Sequence, residues 1–576
     1  MSKTFLHHCL KAMAFILLLQ INLHASLHAQ VVGDPMEAYQ RNGLLLSDTS
    51  LPASGLIRPF LDGNLQTLTY IELDGKDLLH FPQRRIKSYR TPRYTTESIF
   101  KPTELVMRQQ YVSHHPYDWN DGAMLPMPGF QQLISMGVSG KTGNFDFRLS
   151  PEVVLAENQP FEGFTTEHDQ TTWRDYYRYV NFIETPEKFG VRPLQKVYAG
   201  QSYLRYSLNA LSVELSTANK WWGPGYRNAL LLSNNAPGFP HLAIKSNQPI
   251  SSHIGSFEFE LLYGLLFNEP FAPADTFKVY RGNKLYKAKD NLQRLLKGFV
   301  LSYQPKWVPG LFVGVEQTEN RYLFETRKFK DWLPFKKPFR KVIFDMPEKG
   351  LLLSGLFFKY RIPGAHAEIY GEWGWNQSQR NFRSFMVNNE QGIASVWGFR
   401  KMFKPQVEEG EEPGYYWELN AEITNLQIQN QRDLLVNTAP LSWYLHPQVR
   451  QGHTHEGQLL GSGTGPGGNS QFLEFNWRSG FNKIGFALER KINNNDFYVY
   501  HFRNSVDFRR YWVDYAATLQ ASWQFGHLLV NAQLSSIKSL NYNYWLFQPA
   551  DAYFISGRDV NQYTGNISLR YFFKHL

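Results

Sequence analysis

Short segments in which apolar and polar residues alternate strictly are the feature that most constrains how this chain can fold. The segment WELNAEIT at 417–424 places its apolar residues at odd positions and its polar residues at even positions. The same pattern recurs at 145–150, 204–209, 211–216 and 473–478, and residues 519–534 show it on the two arms of a hairpin joined by Gly526-His527. Alternation with period two is typical of strands that have one apolar and one polar face, so we predict an all-β protein built of hairpins.

The aromatic content decides between two architectures that such strands could form. A soluble sandwich would bury the apolar faces, whereas an outer-membrane barrel turns them towards lipid and keeps the polar faces in a hydrated lumen. Aromatic residues make up 16% of the chain, with 43 Phe, 32 Tyr and 15 Trp. Outer-membrane barrels use many such rings where their wall meets the membrane interfaces. We therefore predict a transmembrane antiparallel β-barrel, which the alternating aromatic segment at 567–573 would complete.

The first 29 residues resemble a secretory signal peptide. Lys3 and Lys11 supply positive charge, and the segment AMAFILLL at 12–19 supplies an apolar core. Because a membrane-spanning helix needs about 20 apolar residues, this core is too short to be an anchor. Cys9, the only cysteine of the sequence, lies in this segment, so we expect a mature protein without disulfides. The predicted localisation is the outer membrane.

Residues 30–128 differ from the remainder of the chain. They contain many prolines and turn residues, and their alternation is weak. We interpret them as a periplasmic lead-in or a plug inside the lumen, with a strand at 66–73 and a short helix at 103–111. The barrel is then predicted to occupy residues 129–576.

The charge favours anionic surroundings. The formal net charge is +10 at pH 7, and the positive residues are spread along the chain. This distribution suits an anionic polymer or phosphate-rich lipid head groups. The expected partners are therefore polysaccharide, outer-membrane lipid, lipopolysaccharide and the machinery that inserts barrels. No nucleic-acid motif is present, so nucleic acid is not expected as a partner.

Motifs that would indicate catalysis are weak or missing. The sequence contains neither G-x-S-x-G nor H-E-x-x-H. A G-x-G-x-x-G match at 463–468 contains Pro466, which opposes the helix that a dinucleotide site requires. His453 and His455 could share a metal, but solvated loop histidines are the favoured interpretation. We therefore expect no enzyme activity, no cofactor and no metal site.

The most distinctive segment is NKWWGPGYRNALLLSNNAPGFPHL at 219–242. Aromatic rings can stack on sugar rings, while Arg and Asn supply hydrogen bonds to hydroxyls and carboxylates. The candidate polysaccharide-binding residues are Trp221, Trp222, Tyr226, Arg227, Asn234 and Asn235. The residues of the predicted structural turn are Gly223, Pro224 and Gly225. The alternative interpretation of the whole segment is an aromatic girdle followed by a tight turn.

In this segment the chain resembles the Wzi family of capsule-assembly proteins. The string WWGPGYRNALLLSNNAPGF at 221–239 carries most of the resemblance. Further similarity lies in YDWNDGAMLP (117–126), ENQPFEGF (157–164), YVNFIETPEKFG (179–190), GSFEFELLYG (255–264) and HPQVRQGHTHEGQLLGSGTGPGGNSQ (446–471). In the last of these, His453 stands where the family usually has Tyr.

The resemblance implies an outer-membrane barrel of roughly eighteen strands, occluded by a periplasmic helical element and folded loops. It also implies a lectin-like, non-catalytic role in which the protein holds capsular or extracellular polysaccharide at the cell surface. One alternative is a porin-like channel or export barrel for a saccharide. Another is a barrel enzyme that acts on lipid or glycan.

Overall fold

The computed structural model describes most of the chain from residue 35 onwards. The described ranges are 35–46, 53–59, 99–336, 349–376, 382–387, 392–405, 414–429, 442–503, 507–546, 554 and 556–573. The predicted signal peptide and the predicted strand at 66–73 lie outside these ranges. Among the helices in these ranges, none has both the length and the apolar character that a membrane-spanning helix needs.

Eighteen antiparallel strands form one closed barrel in the described part of the chain. The strands are β1 (Ile99–Pro102 and Leu105–Val112), β2 (Gly129–Ser135 and Val138–Thr142), β3 (Phe145–Leu149 and Glu152–Ala156), β4 (Leu194–Tyr198 and Tyr203–Leu208), β5 (Leu211–Ser216), β6 (His241–Ser246 and Ile250–Ser251), β7 (Gly255–Leu266), β8 (Arg294–Pro305), β9 (Leu311–Tyr322), β10 (Gly350–Ile362), β11 (Ala367–Asn376), β12 (Ile393–Phe403), β13 (Tyr416–Asn425), β14 (Asn469–Ser479), β15 (Asn482–Ile492), β16 (Val513–Phe525), β17 (Leu528–Leu540) and β18 (Val560–Tyr571). Each strand pairs with the next along the chain, and β18 pairs with β1 to close the barrel. The predicted transmembrane β-barrel is confirmed.

The remaining elements are short. The helices are α1 (Pro35–Leu46), α2 (Gln170–Val180), α3 (Phe329–Trp332), α4 (Phe382–Val387) and α5 (Asn495–Phe497), which Tyr498–Phe502 continues as a wider helical turn. Single turns of 3₁₀ helix lie at Leu323–Glu325, Pro363–Ala365, Phe508–Arg510 and Tyr542–Tyr544. Two-residue strands pair Ile57–Arg58 with Trp221–Trp222, Val279–Tyr280 with Asn283–Lys284, and Thr454–His455 with Gln458–Leu459.

The alternation in the sequence corresponds to the two faces of the barrel wall. On β13, Trp417 and Ile423 are 40% and 55% exposed, whereas Glu418 and Glu422 are buried. This arrangement is the reverse of a soluble protein, in which the apolar face would be covered. The apolar side chains form the lipid-facing surface, and the polar side chains fill the interior of the barrel.

The two ends of the barrel differ in the length of their connections. At one end, two-residue turns at 143–144, 209–210, 480–481 and 526–527 join the strands. At the other end, the connections include the long loops 157–193, 217–240, 267–293 and 426–468. Barrels of this kind have short periplasmic turns and long extracellular loops, so the long-loop end is the outer end.

The structure corrects two expectations for the N-terminal part of the barrel. The predicted helix at 103–111 is wrong, because Leu105–Val112 is a strand. This segment pairs with β18 on one side and β2 on the other, so ladder hydrogen bonds to both neighbours outweigh its local preference for helix. The first barrel strand begins at Ile99, which lies before the predicted boundary at residue 129.

The helix α1 lies inside the barrel at the short-turn end. Leu45 and Leu46 form a buried cluster with Met402 and Tyr416, which lie where β12 ends and β13 begins. Near the opposite wall, the ring of Tyr39 stacks on Phe481 with ring centroids 4.6 Å apart. The helix therefore occupies the periplasmic mouth of the barrel.

Adjacent positions on β17 provide a test of this orientation. Leu534 is 58% exposed on the outer wall, whereas Gln533 lines an internal cavity. We expect Leu534→Cys in native membranes to react with a lipid-soluble maleimide, and Gln533→Cys to react with a small water-soluble maleimide. The protein without an added cysteine is the background control. Identical labelling at the two positions would contradict the assigned register.

Candidate functional site

The distinctive segment between β5 and β6 folds into the barrel instead of extending into solvent. One carboxylate of the wall, Glu422, holds its turn in place. Its Oε2 accepts the backbone N–H groups of Tyr226 and Arg227 at 2.7 and 3.0 Å, and its Oε1 accepts that of Asn228 at 2.8 Å. We call residues 217–240 the inward loop. A carboxylate that accepts three amides positions this loop firmly, because hydrogen bonds to charged groups are the strong ones.

The two candidate tryptophans are buried in the lumen. Trp222 is fully buried, and its indole N–H donates to Glu260 of β7 at 3.1 Å. Trp221 is 3% exposed and lies beneath the guanidinium of Arg58, which is 4.2 Å from the ring centroid. The pairing of Ile57–Arg58 with these tryptophans adds a strand from the N-terminal region. Neither indole is presented on the outer surface of the protein.

The Gly-Pro-Gly turn is packed too closely for larger residues. A Cβ atom on Gly225 would lie 1.7 Å from the carbonyl oxygen of Asn228. Gly223 has a φ of +96°, and its Cβ would lie 2.8 Å from a carboxylate oxygen of Glu372. Glycine tolerates both the positive φ and the close approach. The backbone of the turn therefore lies close to Glu372 of the wall and to the rest of its own loop, which leaves no room for a side chain.

Tyr226 and Arg227 extend from this turn towards β13, β14 and β15. The hydroxyl of Tyr226 donates to Glu474 at 2.8 Å. Arg227 donates through two nitrogens to Glu489, at 3.2 and 2.7 Å, and its guanidinium lies 4.3 Å from the ring centroid of Trp119. A bidentate pair of this kind fixes the direction of the side chain. Both groups are thus engaged with the barrel.

Asn234 and Asn235 join the inward loop to a second folded loop, residues 113–128. The backbone N–H of Asn120 donates to the side chain of Asn235 at 2.8 Å, and the side chain of Asn234 donates to the carbonyl of Asn120 at 2.8 Å. The N–H of Gly122 also donates to the carbonyl of Asn234 at 2.8 Å. These amide hydrogen bonds hold the two loops together in the way that backbone hydrogen bonds hold paired strands.

The histidines of the glycine-rich loop are buried, which corrects the expectation that they are solvated. Nε2 of His453 lies 2.6 Å from the carbonyl oxygen of Leu231, and Nδ1 of His455 accepts the N–H of Phe267 at 3.1 Å. Burial lowers the pKa of His453 to about 4 and that of His455 to about 3. Both are neutral at pH 7 and serve as hydrogen-bonding parts of the core. In the described ranges, no group of three potential metal ligands is found.

A cavity of about 480 Å³ remains between the folded loops and one side of the wall. Trp221, Tyr226, Arg227 and Asn234 line it, and so does Phe481 of a short turn. The cavity therefore extends towards the periplasmic end. The predicted contact of these residues with polysaccharide stays a prediction, and it requires a saccharide to enter this cavity.

The facing wall of the cavity was not identified from the sequence. Three adjacent strands contribute uncharged hydrogen-bonding side chains, and these are Thr518, Gln520, Ser522, Asn531, Gln533, Ser535, Thr564, Asn566 and Ser568. Alternation indicates that these residues face the lumen, but it does not show which strands remain uncovered by loops. The arrangement places aromatic rings opposite amides and hydroxyls, which is suited to sugar hydroxyls.

The comparisons with known proteins agree with this architecture. Residues 127–292 match the family model of the capsule assembly protein Wzi. Among solved structures, Wzi of Escherichia coli matches with a TM-score of 0.54 and 12% identity, over 93% of this chain and 98% of that one. The resemblance to the Wzi family is confirmed. That protein is described as an outer membrane protein involved in group 1 capsule assembly and as a carbohydrate-binding β-barrel.

Two further solved structures match with lower TM-scores. OccAB2 of Acinetobacter baumannii has a TM-score of 0.38 and 11% identity, over 83% of this chain and 98% of that one. OccK8 of Pseudomonas aeruginosa has a TM-score of 0.37 and 8% identity, over 82% and 97%. No curated protein matches the chain. The matched Wzi segment, 127–292, includes the whole inward loop described above.

The Gly-Pro-Gly turn of this Wzi-like segment provides a test of the packing. We expect Gly225→Val to reduce the folded, heat-modifiable fraction of the barrel severalfold, because its side chain would overlap the Asn228 carbonyl. The measurement is the mobility shift on gels before and after heating. Gly565→Val is the matched control, since a Cβ there meets nothing within 4 Å. A normally folded Gly225→Val variant that loses glycan binding would instead place the turn in the ligand site.

Proposed function

We propose that this protein is a non-catalytic, polysaccharide-binding barrel of the outer membrane that retains capsular or extracellular polysaccharide at the cell surface. The confirmed barrel and the Wzi family match support the proposal. The description of Escherichia coli Wzi as a carbohydrate-binding barrel supports it further. The signal peptide and the partnership with the insertion machinery belong to the same proposal.

The filled lumen favours binding over transport. In the described part of the chain, α1 occupies one mouth, and the inward loop crosses the interior from β5 to contacts on β11 and β13. The guanidinium of Arg41 in α1 donates to the carbonyl of Pro224 at 3.4 Å, so the two obstructions touch. A channel for a polymer would require both of them to move. The porin-like alternative therefore has less support.

The observation that carries the proposal is a set of arginine–tyrosine pairs at the outer end. Arg174 and Arg281 of these pairs are exposed, and the others are half-buried. Arg174 and Arg178 lie one turn apart on α2. The guanidinium of Arg174 is 5.1 Å from the ring centroid of Tyr280, and that of Arg178 is 4.0 Å from Tyr500. Arg281 approaches the ring of Tyr280 as well, at 5.3 Å. We call these five residues the outer ridge.

The outer ridge has the chemistry of a site for an acidic glycan. Arginine pairs with carboxylates in a fixed planar geometry, and an adjacent ring can stack on the apolar face of a sugar. Arg174 already donates through two nitrogens to Asp175, at 2.7 and 2.9 Å, so a glycan carboxylate would share this arginine with Asp175. The ridge is held rigidly, because Nδ1 of His501 lies 2.8 Å from Asp175 and Thr172 lies 2.7 Å from Nε2 of the same ring. Each contact is weak, and a long polymer that bridges many copies would be retained through avidity.

A triple variant tests the ridge. We expect Arg174→Gln, Arg178→Gln and Arg281→Gln together to weaken binding of an acidic oligosaccharide at least tenfold, because three cations are lost. Each charge-assisted hydrogen bond contributes roughly 1.5–3 kcal/mol at most, and exposure reduces that value. Isothermal titration of the purified barrel in detergent measures the affinity.

The matched control carries the same change of charge elsewhere on the protein. Arg327→Gln, Lys328→Gln and Lys330→Gln remove three exposed cations of another loop. This control should keep its affinity for the oligosaccharide. Equal loss in both variants would show only a general effect of charge, and unchanged binding in the ridge variant would refute the assignment of the site.

A deletion strain separates retention from export. We expect total polysaccharide to be unchanged and the cell-attached fraction to fall, because a barrel that only binds polymer acts after export. The measurement is polymer in washed cells against polymer in the medium. A fall in total polymer with normal attachment of the remainder would favour the transport alternative.

A further inference from the structure

The outer wall of the barrel contains a polar patch that a lipid-facing surface should not have. Gly298 faces the lumen, because a Cβ there would lie 3.2 Å from the ring of Trp222. Neighbouring residues on a strand point to opposite sides, so Lys297 faces outward. Phe312 is buried in the same internal cluster as Trp222, so the odd-numbered residues of β9 face outward as well. Three of these are polar, and they are Gln317, Glu319 and Arg321.

A segment of the loop after β9 folds down over this patch. We call residues 327–336, which include α3, the exterior strap. Lys297 donates to the carbonyl of Asp331, and its Nζ lies 2.8 Å from Glu319. Arg321 lies 3.4 Å from Asp331. The wall charges are therefore neutralised by one another and by the strap, away from lipid.

The lower end of the strap is bound through its backbone. The N–H of Lys336 donates to the side chain of Gln317 at 2.7 Å, and that side chain donates back to the carbonyl of Lys336 at 3.1 Å. The ring of Phe335 contacts Phe299 of β8 with centroids 4.6 Å apart. The strap is thus docked against the outside of the barrel and not over its mouth.

The outward side of the strap mixes apolar and cationic residues. Phe329 is 83% exposed and Phe335 is 56% exposed, and both lie on the membrane side of the wall. Trp332 and Leu333 are also exposed. The exposed cations between and beside them are Arg327, Lys328 and Lys330. Aromatic residues beside lysines are typical of segments that lie at the membrane interface.

The position of the strap along the barrel wall agrees with its mixture of aromatic and cationic residues. Lys297 is three residues from Arg294, where β8 begins at the outer end. At about 3.4 Å per residue, the docking contact lies roughly 10 Å along the strand from the outer rim. If the outer rim lies at the membrane surface, this depth is where the head groups of the outer leaflet meet its acyl chains.

We propose that the exterior strap binds the phosphorylated head group of an outer-leaflet lipid. Arg327, Lys328 and Lys330 pair with phosphate. Phe329, Trp332 and Leu333 insert among the acyl chains. The strap would fix the position of the barrel relative to the outer leaflet. It uses none of the outer-ridge residues, so it is independent of the proposed glycan site.

The test uses the complete barrel in nanodiscs of phosphatidylcholine with added lipid A. Leu333→Cys is labelled with an environment-sensitive fluorophore, and unlabelled protein is examined by native mass spectrometry for retained lipid A. We expect the fluorophore to report an apolar environment, and lipid A with its phosphates to be retained over dephosphorylated lipid A. In the double variant Lys328→Gln, Lys330→Gln, retention of lipid A should fall about thirtyfold, because each lysine near an anionic surface strengthens binding by about a factor of five.

The control is Lys284→Gln, Lys287→Gln, which removes two exposed lysines from a loop that packs over the lumen. This variant should retain lipid A normally. Equal retention in the strap variant and the control would overturn the proposal, as would equal retention of phosphorylated and dephosphorylated lipid. If the strap variant instead converts a dimer to a monomer at unchanged lipid binding, the strap is a subunit interface and the proposal is wrong. Heat modifiability confirms that each variant is folded.

Discussion

Carboxylates that point into the barrel need hydrogen-bond donors, and this requirement determines how the lumen is filled. An eighteen-stranded barrel encloses more space than its own side chains can occupy. Glu422 takes three backbone amides from the inward loop, and Glu372 takes the N–H of Leu230 at 2.8 Å. Glu418 lies between Arg400 and Arg478, with Arg400 at 2.8 Å. A buried carboxylate without such partners would be costly, so the wall and the folded loops stabilise each other.

Because folded loops and α1 fill the interior, the candidate binding surfaces lie at the two ends and on the outside of the barrel. The inward loop and α1 leave a cavity towards the periplasmic end, whereas the outer ridge lies at the outer end, where an extracellular polymer would arrive. Under the proposed function, Trp222 would act indirectly, because it is fully buried. Its indole N–H fixes the inward loop to Glu260. The inward loop in turn supports the outer loop 426–468, because the N–H of Ser233 donates to the carbonyl of Leu460 at 2.8 Å. Loss of polymer binding after a change at Trp222 would therefore not by itself identify a contact.

The fold could be predicted from the sequence because alternation within a strand has a direct physical cause. In residues 417–424 of β13, each apolar residue faces lipid and each carboxylate faces the lumen, as the pattern indicates. The segment Leu105–Val112 was missed because its central residues, Arg108, Gln109 and Gln110, are all polar, and its strand structure depends on neighbours far along the chain. The position of the candidate residues could not be predicted either. Nothing local in the inward loop shows that its partners are carboxylates about 150 and 200 residues away.

The sequence nevertheless contains one signal that another part of the chain must cover the barrel wall. Residues 316–321 of β9 are polar at every position, so neither face of this stretch suits lipid. A membrane strand with such a stretch must be covered on its outer side, because an uncovered charge there would face acyl chains. The covering segment has to supply donors and acceptors inward and tolerate the membrane outward. The basic, aromatic segment that begins five residues after β9 meets both conditions, since Asp331 faces the wall and Phe329 faces the surroundings. The failure of alternation is therefore as informative as alternation itself, because it marks the part of the wall that another segment must cover.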